Sequence, residues 1–312
     1  MVLDVPVVLF IYKRPHLVEG LIENLRGVRP KKIWLVSDGA KIDQEEEAKL
    51  CSEVRERAEA LIDWPCHLKK IYSKNNLGLR ERIVTGINEF FACEETGIFL
   101  EEDCYPDPTF FEFAQENLAH WENHPQVAVI SGSSFAREKE NKLGHSYYFS
   151  KYPHCWGWAT WKRAWQNYDP SDKLLDTNLE NLPVNMDGKT ELRYWENLLG
   201  KVKEGSVDSW ACRWALSCWH RGMLTVTPYQ NLVRNVGSGV SATHTSSEED
   251  LVLVSQSGKM KFPLSHPLIP VADSNQDVRT FRRHYLQGAR LSFWPRLVRS
   301  FSRRIKKNVF RS

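Results

Sequence analysis

Gly97-Ile98-Phe99-Leu100-Glu101-Glu102-Asp103-Cys104-Tyr105-Pro106-Asp107-Pro108 runs an apolar strand into three consecutive carboxylates, then into a turn and a helix start. A strand that ends this way opens into the mouth of an α/β sheet, where ligands collect. Three adjacent acids repel one another at an interior edge unless a cation offsets them. Strand alternation puts Glu101 and Asp103 on one side and Glu102 on the other. The pattern suits a divalent cation held by Asp103, with Glu101 nearby, under a substrate phosphate. A solvated acidic turn is the alternative.

Upstream, strands and helices alternate. Val5 to Tyr12 is a nearly continuous apolar run, as in a strand buried on both faces. Pro15 opens a helical pattern through Leu17, Leu21, Ile22 and Leu25. Lys32 to Gly39 reads as a second strand, ending in an acid, Asp38, and a turn glycine, Gly39. Glu45 to Leu61 reads as a helix and His67 to Tyr72 as a strand. Asn75-Asn76-Leu77-Gly78 forms a turn before a helix from Leu79 to Phe91. Ile98 to Leu100 is the next strand. Asp107 can cap a helix with Pro108 in its first position and Phe110, Phe111, Phe113 and Leu118 on its packing face. Val127 to Ser131 returns as a strand. The alternation predicts a doubly wound, mostly parallel α/β sheet flanked by helices over residues 1–135.

Residues 136–278 are aromatic and less regular, and read as an acceptor-side region continuous with the same domain. Trp156, Gly157 and Trp158 lie close together, and Trp210, Trp214 and Trp219 follow on a second segment. Most of these tryptophans suit a core, while a few could form an apolar platform under a sugar ring. Gly157 between two tryptophans suggests a close backbone approach. Asp172 to Asp187 is polar and reads as an excursion or mobile loop. Asn235 to His244, with Gly237 and Gly239, has the makeup of a loop that closes over a ligand.

The net charge of +3 conceals an asymmetry: residues 279–312 hold 11 Lys or Arg and no acid, leaving 31 basic against 39 acidic residues before them. That argues against a nucleic-acid-binding core. Phe301, Ile305 and Val309 recur at helical spacing among Arg303, Arg304, Lys306 and Lys307, which suits an amphipathic helix on an anionic membrane surface. A solubilising tail or a subunit contact is the competing reading. No apolar run is long enough to span a membrane, and Asp4 and Pro6 interrupt what a signal peptide would need. Seven cysteines without a CxxC pair suggest reduced thiols in a cytoplasmic protein.

No G-x-G-x-x-G follows the first strand and no P-loop occurs, which speaks against ordinary dinucleotide dehydrogenases and P-loop ATPases. Asp38 could accept a hydrogen bond from a nucleotide base or ribose, or simply cap a turn. Arg14, Arg80 and Arg82 could supply cations to phosphate. Asp208 could take a proton from an attacking hydroxyl, or serve as N-cap of the helix carrying Trp210. His244 could donate to a diphosphate or complete a metal shell, or be an ordinary surface histidine.

With these residues in view, the chain resembles the GT-A-fold nucleotide-sugar glycosyltransferases, particularly the inverting N-acetylglucosaminyltransferase I-like group. The closest likeness is Phe99-Leu-Glu-Glu-Asp103 with the aromatic helix after it; Glu102 stands where that group has an aspartate. Tyr12-Lys-Arg14 and Val36-Ser-Asp38-Gly39 resemble its nucleotide-side segments. Cys155-Trp-Gly157-Trp158 resembles its acceptor-side motif, and Val207-Asp208-Ser-Trp210 its base-bearing segment, without a second adjacent acid. Arg234 to His244 resembles its closing loop. The resemblance implies Mn²⁺ or Mg²⁺ on Asp103 and a donor, UDP-sugar by default, contacted by Arg14, Asp38, Arg80, Arg82, Glu101, Glu102 and His244. It further implies an acceptor near Trp156, Gly157, Trp158 and Trp210, with Asp208 as base. Glycans, lipid-linked glycans and proteins are all candidate acceptors. A sugar-phosphate nucleotidyltransferase would also place metal carboxylates in an α/β site, but should carry a glycine-rich loop where Tyr12-Lys13-Arg14-Pro15 stands. A noncatalytic carbohydrate-binding or scaffold protein is the other alternative.

Overall fold

The computed structural model describes residues 3–136, 144–237 and 257–286. Along the chain the strands are Val7–Ile11 (β1), Lys32–Ser37 (β2), His67–Tyr72 (β3), Thr96–Glu101 (β4) and Cys104–Pro106 (β5). Val127–Ser131 (β6), Tyr147–Ser150 (β7), Trp158–Trp161 (β8), Leu224–Pro228 (β9) and Val233–Asn235 (β10) follow. The α-helices are Pro15–Arg26 (α1), Glu45–Leu61 (α2), Leu79–Phe91 (α3), Pro108–His120 (α4), the single turn Lys162–Trp165 (α5), Lys189–Lys203 (α6) and Trp210–His220 (α7). A last helix covers Ser274–Thr280.

β1 is buried at every position because helices cover both faces of its sheet. Alternation divides its side chains: Val7, Leu9 and Ile11 join a core with α1, α2 and α4, while Val8 and Phe10 join another with α3 and α7. The main sheet has eight strands in the order β3-β2-β1-β4-β8-β6-β9-β7. β1, β2, β3 and β4 are parallel neighbours. β8 lies antiparallel between β4 and β6, so the aromatic second half completes the sheet begun by the first. β5 and β10 form a separate antiparallel pair beyond the acidic triplet. This mixed, predominantly parallel sheet with helices on both faces is the expected GT-A-like α/β architecture.

The strand and helix limits follow the sequence periodicity closely in the first half. α2, α3, β3 and β6 begin and end where the pattern placed them, and β2 begins there but ends at Ser37, two residues early, because Asp38 and Gly39 already belong to the turn that Asp38 caps. Asp107 caps α4, its carboxylate accepting from the Thr109 amide at 2.9 Å, with Pro108 in the first turn. The N-cap of α7 is Ser209 and not Asp208; its hydroxyl accepts from the Cys212 amide at 3.2 Å. The segment Asp172 to Asp187 is ordered by two 3-10 turns, Asp172–Asp176 and Leu179–Asn181. Leu175, Leu179, Leu182 and Val184 anchor it in a third core with Trp195 and Trp219, burial that its polar composition masks.

The basic segment does not separate from the body at its start. Just before it, Asp277 accepts from the Ser150 hydroxyl at 2.5 Å, and within it Phe281 is buried in the third core. His284 stacks on Phe135 with ring centroids 3.9 Å apart. The rest of that segment, including Phe301, Ile305 and Val309, lies outside the described residues. Among the described residues no helix is long and apolar enough to cross a membrane, and all seven cysteines are free.

Candidate active site

β2, β1 and β4 are parallel neighbours, so Asp38, Tyr12-Lys13-Arg14 and Glu101-Glu102-Asp103 emerge at one edge of the sheet. Such an edge is where open α/β sheets bind ligands. Buried Glu102 accepts from the Tyr12 amide at 2.7 Å and from Nε of Arg14. Nη2 of Arg14 reaches Oδ2 of Asp103 at 3.0 Å. Arg14, expected to face phosphate, therefore braces the acidic tip from within. Burial works against its charge, but Glu102 and Asp103 outweigh it and raise the Arg14 pKa. Glu102 is likewise an internal brace and not an exposed donor contact.

One arginine cannot balance three carboxylates. Arg14 pairs with Glu102 and Asp103 and leaves Glu101 without an ion pair among the described residues. Burial, followed by the neighbouring Asp103, pushes the Glu101 carboxyl up to about 8. A dication beside Asp103 and Glu101 would relieve this repulsion, so the donor set fits Mn²⁺ or Mg²⁺. Among the described residues no three His, Cys, Asp or Glu side chains form a closed metal cage. One or two carboxylates with phosphate oxygens and water are the usual shell of such ions at a phosphate site.

The segment after β10 runs against this tip. The Val236 amide donates to the Asp103 carbonyl at 2.8 Å. A Cβ on Gly237 would stand 2.1 Å from Oδ2 of Asp103, so only glycine allows that approach. His244 lies outside the described residues.

Asp38 is buried and saturated by the protein. Oδ1 accepts from the amides of Gly39 and Leu77, each at 2.9 Å, and Oδ2 from the Gly78 amide at 2.9 Å and Asn76 Nδ2 at 3.1 Å. The turn-capping alternative describes this geometry: Asp38 fixes the Asn75–Gly78 turn on the end of β2. Asn76 also donates to the Tyr12 hydroxyl at 2.9 Å, which itself donates to Glu47 at 2.6 Å. Sequence reasoning missed Tyr12 and Asn76 as framework; the Asn-rich turn before α3 was the available signal.

α3 starts directly after this turn, and its first turn carries Arg80 to Asp208. Nε of Arg80 lies 2.6 Å from Oδ1 of Asp208, though its N–H is not aligned on an acceptor. Both residues line a cleft of about 560 Å³. Trp210, two residues after Asp208, stacks on Trp158, which pairs with Phe99 of β4; the residues of the acidic tip are not among those that line the cleft. Arg82 does not reach this edge. It is buried and its Nη2 contacts Glu89 at 3.3 Å, two turns further along α3.

The acceptor-side tryptophans are mostly core. Trp158 is sandwiched between Phe99 at 4.8 Å and Trp210 at 5.7 Å, and both tryptophans are buried. Buried in the core, neither ring presents a face to a sugar. Trp156 is the one tryptophan among the described residues that keeps partial exposure, beside Phe135 and His284. Gly157 adopts φ +67°, and a Cβ there would stand 2.7 Å from Cγ2 of Val233. Its carbonyl accepts from the Gly132 amide at 2.8 Å, so the close approach is to a neighbouring strand.

No protein-family model and no curated protein sequence matches the chain. Solved structures with a similar chain course include a mannosyltransferase from Pyrobaculum calidifontis in complex with GDP-Man and Mn²⁺. It has 15% identity and a TM-score of 0.38, over 71% of this chain and 70% of that one. The galactosyltransferase LgtC, in complex with donor and acceptor sugar analogues, has 9% identity and a TM-score of 0.33, over 70% and 72%. A cytidylyltransferase from Leptospira borgpetersenii has 9% identity and a TM-score of 0.35; the match spans 54% of this chain and 64% of that enzyme. Likeness of this degree concerns the path of the backbone, and the functional reading rests on the side chains.

Proposed function

We propose that the protein is a metal-dependent glycosyltransferase of the inverting, N-acetylglucosaminyltransferase I-like kind. It would move a sugar from a nucleotide diphosphate donor, UDP-sugar by default, to a hydroxyl acceptor on a glycan, lipid-linked glycan or protein. The observation that carries the reading is the acidic tip: three carboxylates share the sheet's ligand edge with one arginine, which pairs with only two of them.

Asp103 and Glu101 would hold Mn²⁺ or Mg²⁺, which when bound would offset the donor diphosphate and stabilise its departing oxygen. Arg14 and Glu102 would keep Asp103 in place. Asp38 and Asn76 would fix the turn that delivers α3, and with it Arg80, to the nucleotide side. Asp208, 59% exposed at its side chain, stands where a hydroxyl could reach it. Arg80 forms an ion pair with it, and Asp208 would take the acceptor proton as the hydroxyl attacks opposite the leaving group. Positioning of the two substrates would supply much of the rate gain. Partly exposed Trp156 is the aromatic surface open to an acceptor. The excess of Lys and Arg from Arg279 onward supports a cytoplasmic protein held peripherally at an anionic membrane. Release of nucleoside diphosphate from a nucleotide sugar, dependent on both Mn²⁺ and an acceptor, tests the proposal. Release without acceptor would indicate hydrolysis, and none with any donor would refute transfer.

A further inference from the structure

Beside β7, the outer strand of the main sheet, one short segment holds its apolar side chains in water. Leu268, Ile269 and Val271 are 94%, 67% and 64% exposed, and nowhere else among the described residues do three large apolar side chains stand open so close together in the chain. Both ends of the segment are pinned along β7. The Ser146 amide donates to the Ser265 carbonyl at 2.9 Å, and His266 Nδ1 lies 2.8 Å from the Tyr147 hydroxyl. At the far end Ala272 bridges to Phe149, and the Asp273 amide donates to the Phe149 carbonyl at 2.8 Å. Between these points the strand advances only about 10 Å, while the chain from Ser265 to Asp273 could span roughly 26 Å, so the excess bows outward. Pro267 and Pro270 stiffen the bow and lack the amide protons that pairing with another strand would need. The Val271 amide turns back onto the Ile269 carbonyl at 3.1 Å.

Clustered apolar side chains in water mark an interaction site, and the neighbouring charge selects the partner. Asp273 caps the helix that follows, and from Arg279 on that helix to Ser312 the chain has 11 Lys or Arg and no acid. Arg282 is exposed to solvent. Two copies meeting on the bow would bring two such segments together, and like charges oppose that. An anionic bilayer suits both features, since its interfacial layer takes up apolar side chains while its phosphates attract cations. We propose that Leu268, Ile269 and Val271 insert into the interfacial layer of an anionic membrane, while the Lys and Arg residues from Arg279 onward meet its headgroups. A single such signal gives only marginal, reversible attachment, and two together hold. The inference deepens the peripheral-membrane reading and rests on it, but not on the transfer chemistry.

Co-sedimentation of the full chain with phosphatidylcholine vesicles, with and without about a quarter phosphatidylserine, tests the surface. Saturable binding to the anionic vesicles is expected, weakened by about tenfold or more when Leu268→Ser and Ile269→Ser are combined, a change that alters no charge. Leu268→Phe with Ile269→Phe should bind at least as tightly as the wild type. Both positions are exposed, so all variants should keep the wild-type melting temperature, measured alongside. Equal binding by the serine variant would overturn the proposal and leave attachment by charge alone. No binding of the wild type to either vesicle would remove the peripheral reading with it. A wild-type dimer that becomes a monomer in the serine variant, seen by sedimentation velocity, would assign the bow to a second copy and overturn the proposal.

Discussion

Asp208 and Arg80 meet at the rim of the cleft with Oδ1 and Nε 2.6 Å apart, joining the start of α7 to the start of α3. If Asp208 is the base, Asp208→Asn keeps the side chain's shape but removes proton affinity. Turnover should fall by about 10²–10⁴-fold while donor affinity stays within roughly twofold. Steady-state rates beside calorimetric donor binding read this directly. Wild-type turnover in the variant would exclude Asp208 as base.

Gly157→Ala places a methyl group at φ +67° and against Val233. Strain at a left-handed position and crowding together should destabilise the fold by roughly 2 kcal/mol in denaturant unfolding. Val233→Ala removes the obstructing methyl groups, so the double variant should lose less than the sum of the single losses. Strict additivity would show that backbone conformation alone accounts for the effect.

Burial holds the Asp277 carboxyl up at about 7, against an ordinary 3.8, with the Ser150 hydroxyl and Lys151 opposing. The folded protein therefore binds this proton more tightly than the unfolded chain does. Its contribution to stability is complete below about pH 4 and is lost as pH rises through 7. Melting temperature should fall between pH 5 and pH 8, and Asp277→Asn should shrink that fall by a few degrees. An identical pH dependence in the variant would mean that Asp277 titrates no differently in the folded chain.

The first half of the fold was legible because its signals are local. Apolar runs mark the buried strands, and Asp107-Pro108 marks the start of α4. The placement of β8 between β4 and β6 was not legible, since pairing partners far apart in the chain leave no periodic trace. The site divides the same way. The acidic tip is contiguous in sequence and could be read, but the partner of each charge could not. Arg14 resembles a phosphate ligand until Glu102 is found on its Nε, and Asp38 resembles a nucleotide contact until three amides are found on its carboxylate. Trp158 and Trp210 suit a sugar platform by type, and only their place in mid-core decides otherwise.

Asp38→Ala removes the acceptor for the Gly39, Leu77 and Gly78 amides at once. Loss of about 2–3 kcal/mol is expected, together with weaker donor binding as the turn before Arg80 loosens. Unchanged donor affinity despite the lost stability would detach this turn from the nucleotide side.

The reading as a whole stands on a dication and a diphosphate completing the edge formed by Glu101 and Asp103. Titrating UDP calorimetrically into the wild-type chain and Asp103→Ala, each with Mn²⁺ and with EDTA, isolates that proposition. Saturable binding should occur only for the wild type with Mn²⁺, weakened at least tenfold by either the substitution or the chelator. Equal UDP affinity in EDTA, or in Asp103→Ala, would contradict it.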